Sequence, residues 1–164
     1  MRTTLLAAAL LAVASIGPAL AQDIVRHRNP GSNFPIAMAV EVPPGATTVM
    51  VSGMVPGVAD TNAPRNSLAS FGDTRTQTTS VLSRIEASLK SIGLSLGDVV
   101  RMQVFLVGDP GKGGRLDFDG FMSAYTEHFG TAAQPNLPAR SVMQVAGLVN
   151  PGWLVEIEVT AARR

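Results

Sequence analysis

The stretch QPNLPARSVMQVAGLVNPGWLVEIEV, Gln134–Val159, opens on prolines and then alternates like a strand twice. It is apolar almost throughout, yet it keeps Arg140, Glu156 and Glu158. In its second half Val155, Ile157, Val159 and Ala161 point one way, while Glu156, Glu158 and Thr160 point the other. One side of that strand belongs to a core, and the other faces whatever covers the far side of the sheet. The tripeptide Asn150–Gly152 puts Pro second and Gly third, as a type II turn does. It therefore predicts an antiparallel hairpin of strands near Ser141–Leu148 and Trp153–Ala161. In that hairpin Glu156 pairs near Gly147, and Arg140 lies seven residues further along, roughly 23 Å away. Arg140 and Glu156 of one chain could not then share a small ligand, so any site using both lies between chains. The plain alternative is that all three charges are simply solvated.

Upstream, Ile36–Val42 and Thr47–Gly53 read as strands joined through PPGA, a hairpin-forming turn. Met54–Gly72 lacks a period and reads as a loop with one short extended piece. From Asp73 the period changes: Val81, Leu82, Ile85, Leu89 and Ile92 share a helical face. Asp73 is a suitable N-cap, and Gly93 a suitable C-terminal stop. Asp98–Val107 is apolar on both faces and should be a central strand. A second helix carries Phe118, Phe121, Met122, Tyr125 and Phe129 on one face and ends at Gly130. The order is β-β-α-β-α-β-β, an α+β fold. Two helices cover only one face of such a sheet, which leaves the other open to self-association.

The bulk numbers agree with one compact domain: 164 residues, 46% hydrophobic, 15% charged. A formal charge of +1 leaves no electrostatic footprint for nucleic acid. Residues 1–21 read as a signal peptide, with Arg2, an apolar run and an Ala19–Ala21 cleavage motif. The apolar run Leu5–Ile16 is shorter than the roughly 20 residues of a membrane span. The expectation is a secreted, periplasmic domain over residues 22–164, with no membrane contact after cleavage. Lacking cysteine, that domain depends on its core or on copies of itself. The glycines of GDPGKGG (Gly108–Gly114) lack P-loop spacing. His27 and His128 have no companion at ligand spacing, so no metal is expected. Arg26–Arg28 reads as a solvated tail.

Five motifs occur in order: VSG at Val51–Gly53, GLSLGDVVRMQVFL at Gly93–Leu106, FMSAYTEHFG at Phe121–Gly130, PARS at Pro138–Ser141, and VEIEVTA at Val155–Ala161. Together they resemble the RidA (YjgF-like) family of reactive-intermediate deaminases. The resemblance implies a chorismate-mutase-like subunit, a homotrimer with clefts between subunits, and hydrolysis of 2-imino or enamine acids to 2-oxo acids and ammonia. It also implies that Arg140 holds the substrate carboxylate and that Glu156 activates the attacking water. Ser52 and Gly53 would line the cleft, and no metal or organic cofactor takes part. Ile36 and Met122 stand where the family often has tyrosine and asparagine, which implies a more apolar cleft. The VNPG turn is one residue longer than usual, which would carry Trp153 toward the cleft rim. The competing expectation is a non-catalytic binder of small carboxylates, or a chaperone-like stress protein, on the same fold.

Overall fold

The computed structural model describes residues 23–164; the signal-peptide expectation lies outside them. Six strands and three helices follow one another as β1 (Val25–His27), β2 (Ala39–Glu41), β3 (Thr47–Met54), α1 (Leu68–Phe71), α2 (Thr74–Ser91), β4 (Val99–Val107), α3 (Phe118–His128), β5 (Ala139–Val145) and β6 (Val155–Arg163). The main sheet has the order β3-β6-β4-β5, and β1 and β2 form a separate antiparallel pair.

Strand β4 is central, as its two apolar faces require. β6 runs antiparallel to it on one side and β5 parallel to it on the other. This corrects the expected hairpin, because β5 and β6 never touch: β4 separates them. The turn does close, with the Trp153 amide donating to the Asn150 carbonyl at 3.0 Å. It is not type II, since Gly152 lacks the required positive φ. Gly152 is needed for another reason: a Cβ there would lie 2.6 Å from the Ser67 carbonyl oxygen. The turn is pressed onto the start of α1, and from there the chain enters the far side of β4.

The first hairpin is corrected in the same way. A turn forms at Pro43–Ala46, but β2 pairs with β1 and β3 pairs with β6. The arm ahead of β2 is anchored by Arg26, which donates to the carbonyls of Gly97 at 2.9 Å and Val99 at 3.3 Å. The arm thus supplies the partner of β2 that the hairpin would have drawn from β3. Arg26 is half-buried and not part of a solvated tail. The short element within 54–72 is the helix α1, not an extended piece.

Helices α2 and α3 cover one face of the sheet. Val81, Leu82, Ile85 and Leu89 from α2 meet Phe121 and Tyr125 from α3, and all are fully buried. They pack on Met102, Val104, Leu106, Val155 and Ile157. Ile92, at the C-cap of α2, is exposed. Asp73 caps α2 through the Thr76 amide at 2.8 Å, and Gly93 takes φ +76° just past its end. Gln77 is completely buried: its amide group donates to the Gly72 and Gly152 carbonyls, and its oxygen accepts from the Leu154 amide at 2.7 Å. One side chain thereby ties α2 to the chain entering β6.

Candidate functional site

The charged residues of the opening stretch divide between the two faces of the sheet. Arg140 on β5 lies beside Met102, whose side chain is fully buried beneath the helices. Its guanidinium is on that same side. Its central carbon stands 4.1 Å from the ring centre of Tyr125, 5.0 Å from Phe121 and 5.6 Å from Phe34. One terminal nitrogen, Nη2, donates to the Met122 sulfur at 3.2 Å. The other, Nη1, is buried and has no hydrogen-bond partner among the described residues. Burial lowers the pKa of Arg140, with the charge interaction with Tyr125 working in the opposite direction. An arginine remains cationic even so. Burial also pushes the Tyr125 hydroxyl up to about 12. Its proton is committed to the Pro35 carbonyl at 2.9 Å.

Ile36 follows directly. The segment through it is fastened at Pro35 by Tyr125 and at Ala37, whose amide donates to the Pro138 carbonyl at 3.0 Å. Ala37 also bridges Ala139, the neighbour of Arg140. Ile36 and Met122 therefore belong to the Arg140 half of the site. Phe34 and Tyr125 complete that half, though sequence reasoning assigned them no role there. The available signal was the α3 face itself, which places Phe121, Met122 and Tyr125 beside a strand carrying a lone cation.

Glu156 lies on the opposite face. It sits between Val155 and Ile157, both fully buried under the helices, so its own side chain projects to the open side. There it covers Gly53, where a Cβ would lie 2.1 Å from a Glu156 carboxylate oxygen. The β3–β6 register shifts between Val51 and Met54, so Ser52 and Gly53 form an irregularity that makes room for the carboxylate. Ser52, Gly53 and Glu156 thus form a second half-site within one protomer. Glu158 and Thr160 continue along the open face beside Arg101, Gln103 and Met50.

The two half-sites do not meet in one chain. Arg140 is level with Met102 and Glu156 with Phe105, on opposite flanks of β4. That offset is about 10 Å along the strands and about 10 Å across them, with the sheet between the side chains. The expected hairpin set the two residues roughly 23 Å apart along paired strands; the fold separates them instead by placing them on opposite faces and opposite flanks of β4. Trp153 packs edge-on against Phe71, with ring centres 6.1 Å apart.

The family profile described as Endoribonuclease L-PSP matches residues 35–163, nearly everything from the Arg140-side segment to the end of β6. The chain belongs to this family, the YjgF/Rid family that its motifs resemble. A RutC family protein of Sulfurisphaera tokodaii is 33% identical over 142 residues, covering 87% of this chain and 98% of that protein. Among solved structures, Escherichia coli TdcF, crystallised with bound serine, is 29% identical with a TM-score of 0.54. That match covers 87% of this chain and 99% of TdcF. The E. coli YjgF product is 28% identical with a TM-score of 0.52, covering 82% and 93% of the two chains. Membership fixes the α+β subunit, with its mixed sheet and helices on one face.

Proposed function

We propose that this family member hydrolyses 2-imino acids to 2-oxo acids and ammonia in clefts formed between copies of the chain. The observation that carries the reading is Arg140: a half-buried cation with one buried nitrogen unpartnered and no carboxylate against it among the described residues. A planar guanidinium so held suits a ligand carboxylate, which it can bind in a two-pronged fork. The serine bound to TdcF is a molecule of that kind.

Glu156 supplies the base in this reading. Its carboxylate accepts a proton from water as the water oxygen bonds to the imine carbon, giving a tetrahedral carbinolamine. Glu156 returns that proton to the nitrogen, then carries the carbinolamine hydroxyl proton there as well, so that the C–N bond breaks, ammonia departs, and the carbonyl of the 2-oxo acid forms. The imine carbon is electrophilic already, so the groups named here suffice. Because Arg140 and Glu156 lie on opposite faces, one protomer contributes the anchor and its neighbour the base. A closed ring of three such head-to-tail contacts, as the family resemblance implies, leaves no half-site unused. Met50, 83% exposed on the open face, is consistent with that face being covered.

The family description names an endoribonuclease. Binding an RNA backbone calls for a cationic track, and this chain has 13 basic against 12 acidic residues. A carboxylate binder without catalysis shares the Arg140 half-site and differs only in leaving the imine intact. We also propose that the protein is exported, on the strength of residues 1–21; N-terminal sequencing of the protein from a periplasmic fraction should begin at Gln22.

The test couples an amino-acid oxidase to the purified protein and traps residual imine with semicarbazide. The protein should lower the trapped fraction, and Arg140→Ala or Glu156→Gln should abolish the effect. Mixing these two inactive variants under subunit exchange should restore about a quarter of the activity, the random share of clefts holding both intact groups. An unchanged trapped fraction with Arg140-dependent carboxylate affinity would establish the binder instead. No recovery on mixing would refute the shared cleft.

A further inference from the structure

The chemistry around the Arg140 anchor also bears on which 2-imino acid enters; the inference rests on the deaminase reading of this site. A carboxylate held by the guanidinium fixes the α-carbon one bond away. The substituent on that carbon must then lie against whatever walls the guanidinium. Of the groups around it, the Phe34 ring and the Met122 side chain can be reached, while the rings of Phe121 and Tyr125 are fully buried behind them. Phe34 is 44% exposed and stacks on Phe118 with ring centres 6.4 Å apart, so it is braced where a ligand can reach it. The Tyr125 hydroxyl, the one polar tip among these rings, gives its proton to Pro35. Ser141, next along β5, alternates to the other face of the sheet. Gln144, three positions beyond it, is occupied by the Leu116 amide and the Gly114 carbonyl.

We infer that the cleft selects 2-imino acids with bulky apolar substituents, such as those formed from leucine, methionine and phenylalanine, over those with amide, hydroxyl or acidic side chains, and that Met122 and Phe34 set this choice. A polar substituent gives up its water on entry and finds no side-chain partner on this wall. An apolar substituent covers ring and thioether surface. The flexible, polarisable Met122 adapts to several shapes, so discrimination should be sharp in polarity and loose in shape.

The experiment compares imines generated by a broad-specificity amino-acid oxidase from leucine, phenylalanine and glutamine, with semicarbazide trapping as the readout. In parallel, calorimetry measures binding of the matching 2-oxo acids. The leucine and phenylalanine imines should exceed the glutamine imine by about tenfold or more in kcat/KM. Met122→Gln should shrink that ratio from both ends, and Met122→Leu, a fold control of similar volume, should keep it. Equal rates for all three, a faster glutamine imine, or a ratio unmoved by Met122→Gln would overturn the inference while leaving the deaminase reading intact. Absence of hydrolysis with tighter binding of the apolar 2-oxo acids would overturn the deaminase reading and uphold the apolar wall. Absence of both hydrolysis and any binding preference would overturn both.

Discussion

The two sides of β6 are built for different ends. Toward the helices, Val155, Ile157, Val159 and Ala161 are buried at 3% exposure or less. Toward the open side, Glu156, Glu158 and Thr160 are only half-buried, and Glu156 rests on the backbone at Gly53. One strand therefore serves the core on one face and holds the proposed base on the other, with a period of two keeping them apart. The lesson is that the Glu156 carboxylate is positioned by residues that never face it.

The largest expected contrast is between neighbours in sequence. Ile157→Ala should lower unfolding free energy by about 2–5 kcal/mol. Glu158→Gln should change it by about 0.5 kcal/mol or less. Urea titration of both measures this, and equal losses would break the comparison.

Next is Gln77→Ala, which strands the Leu154 amide and the Gly152 carbonyl in the interior. The same titration should show a loss of about 2–4 kcal/mol. Gly53→Ala should act on the open side alone. Its new methyl group displaces the flexible end of Glu156, so imine hydrolysis should fall about tenfold while stability changes by about 1 kcal/mol or less.

The smallest effect lies far from both faces, at the α2 N-cap. Asp73→Ala should cost about 1 kcal/mol at neutral pH. The Asp73 carboxyl is held below its usual pKa, first of all by the Thr76 amide. Its contribution is therefore complete above the unfolded value, about 3.9, and fades as pH falls through the folded one. The gap between wild type and variant should narrow on acidification below about pH 4.

The sequence showed most of what each strand and helix does by itself. Spacing revealed the α2 face, its Asp73 cap and Gly93 stop, the centrality of β4 and the two-sidedness of β6. It did not show which strands pair. A turn such as Asn150–Trp153 has the same local chemistry whether the chain returns beside β5 or crosses to the other flank of β4. That choice is made by packing of the turn on α1 and by Gln77, which shares the Val81 face of α2 but whose polar side chain gives no sign of the partner it will meet. Likewise the Arg140 half-site draws on Phe34, Tyr125 and Met122, separated by up to 106 positions from Arg140, and only the closed fold brings them together.

The setting of Arg140 has a consequence for capture from solution. Ring faces and a thioether lower the energy of its charge without cancelling it, as a paired acid would. A protein with almost no overall charge thus keeps a concentrated spot of positive potential among apolar side chains. Anions should be gathered there at short range and not drawn from afar, and small inorganic anions become natural competitors for the place.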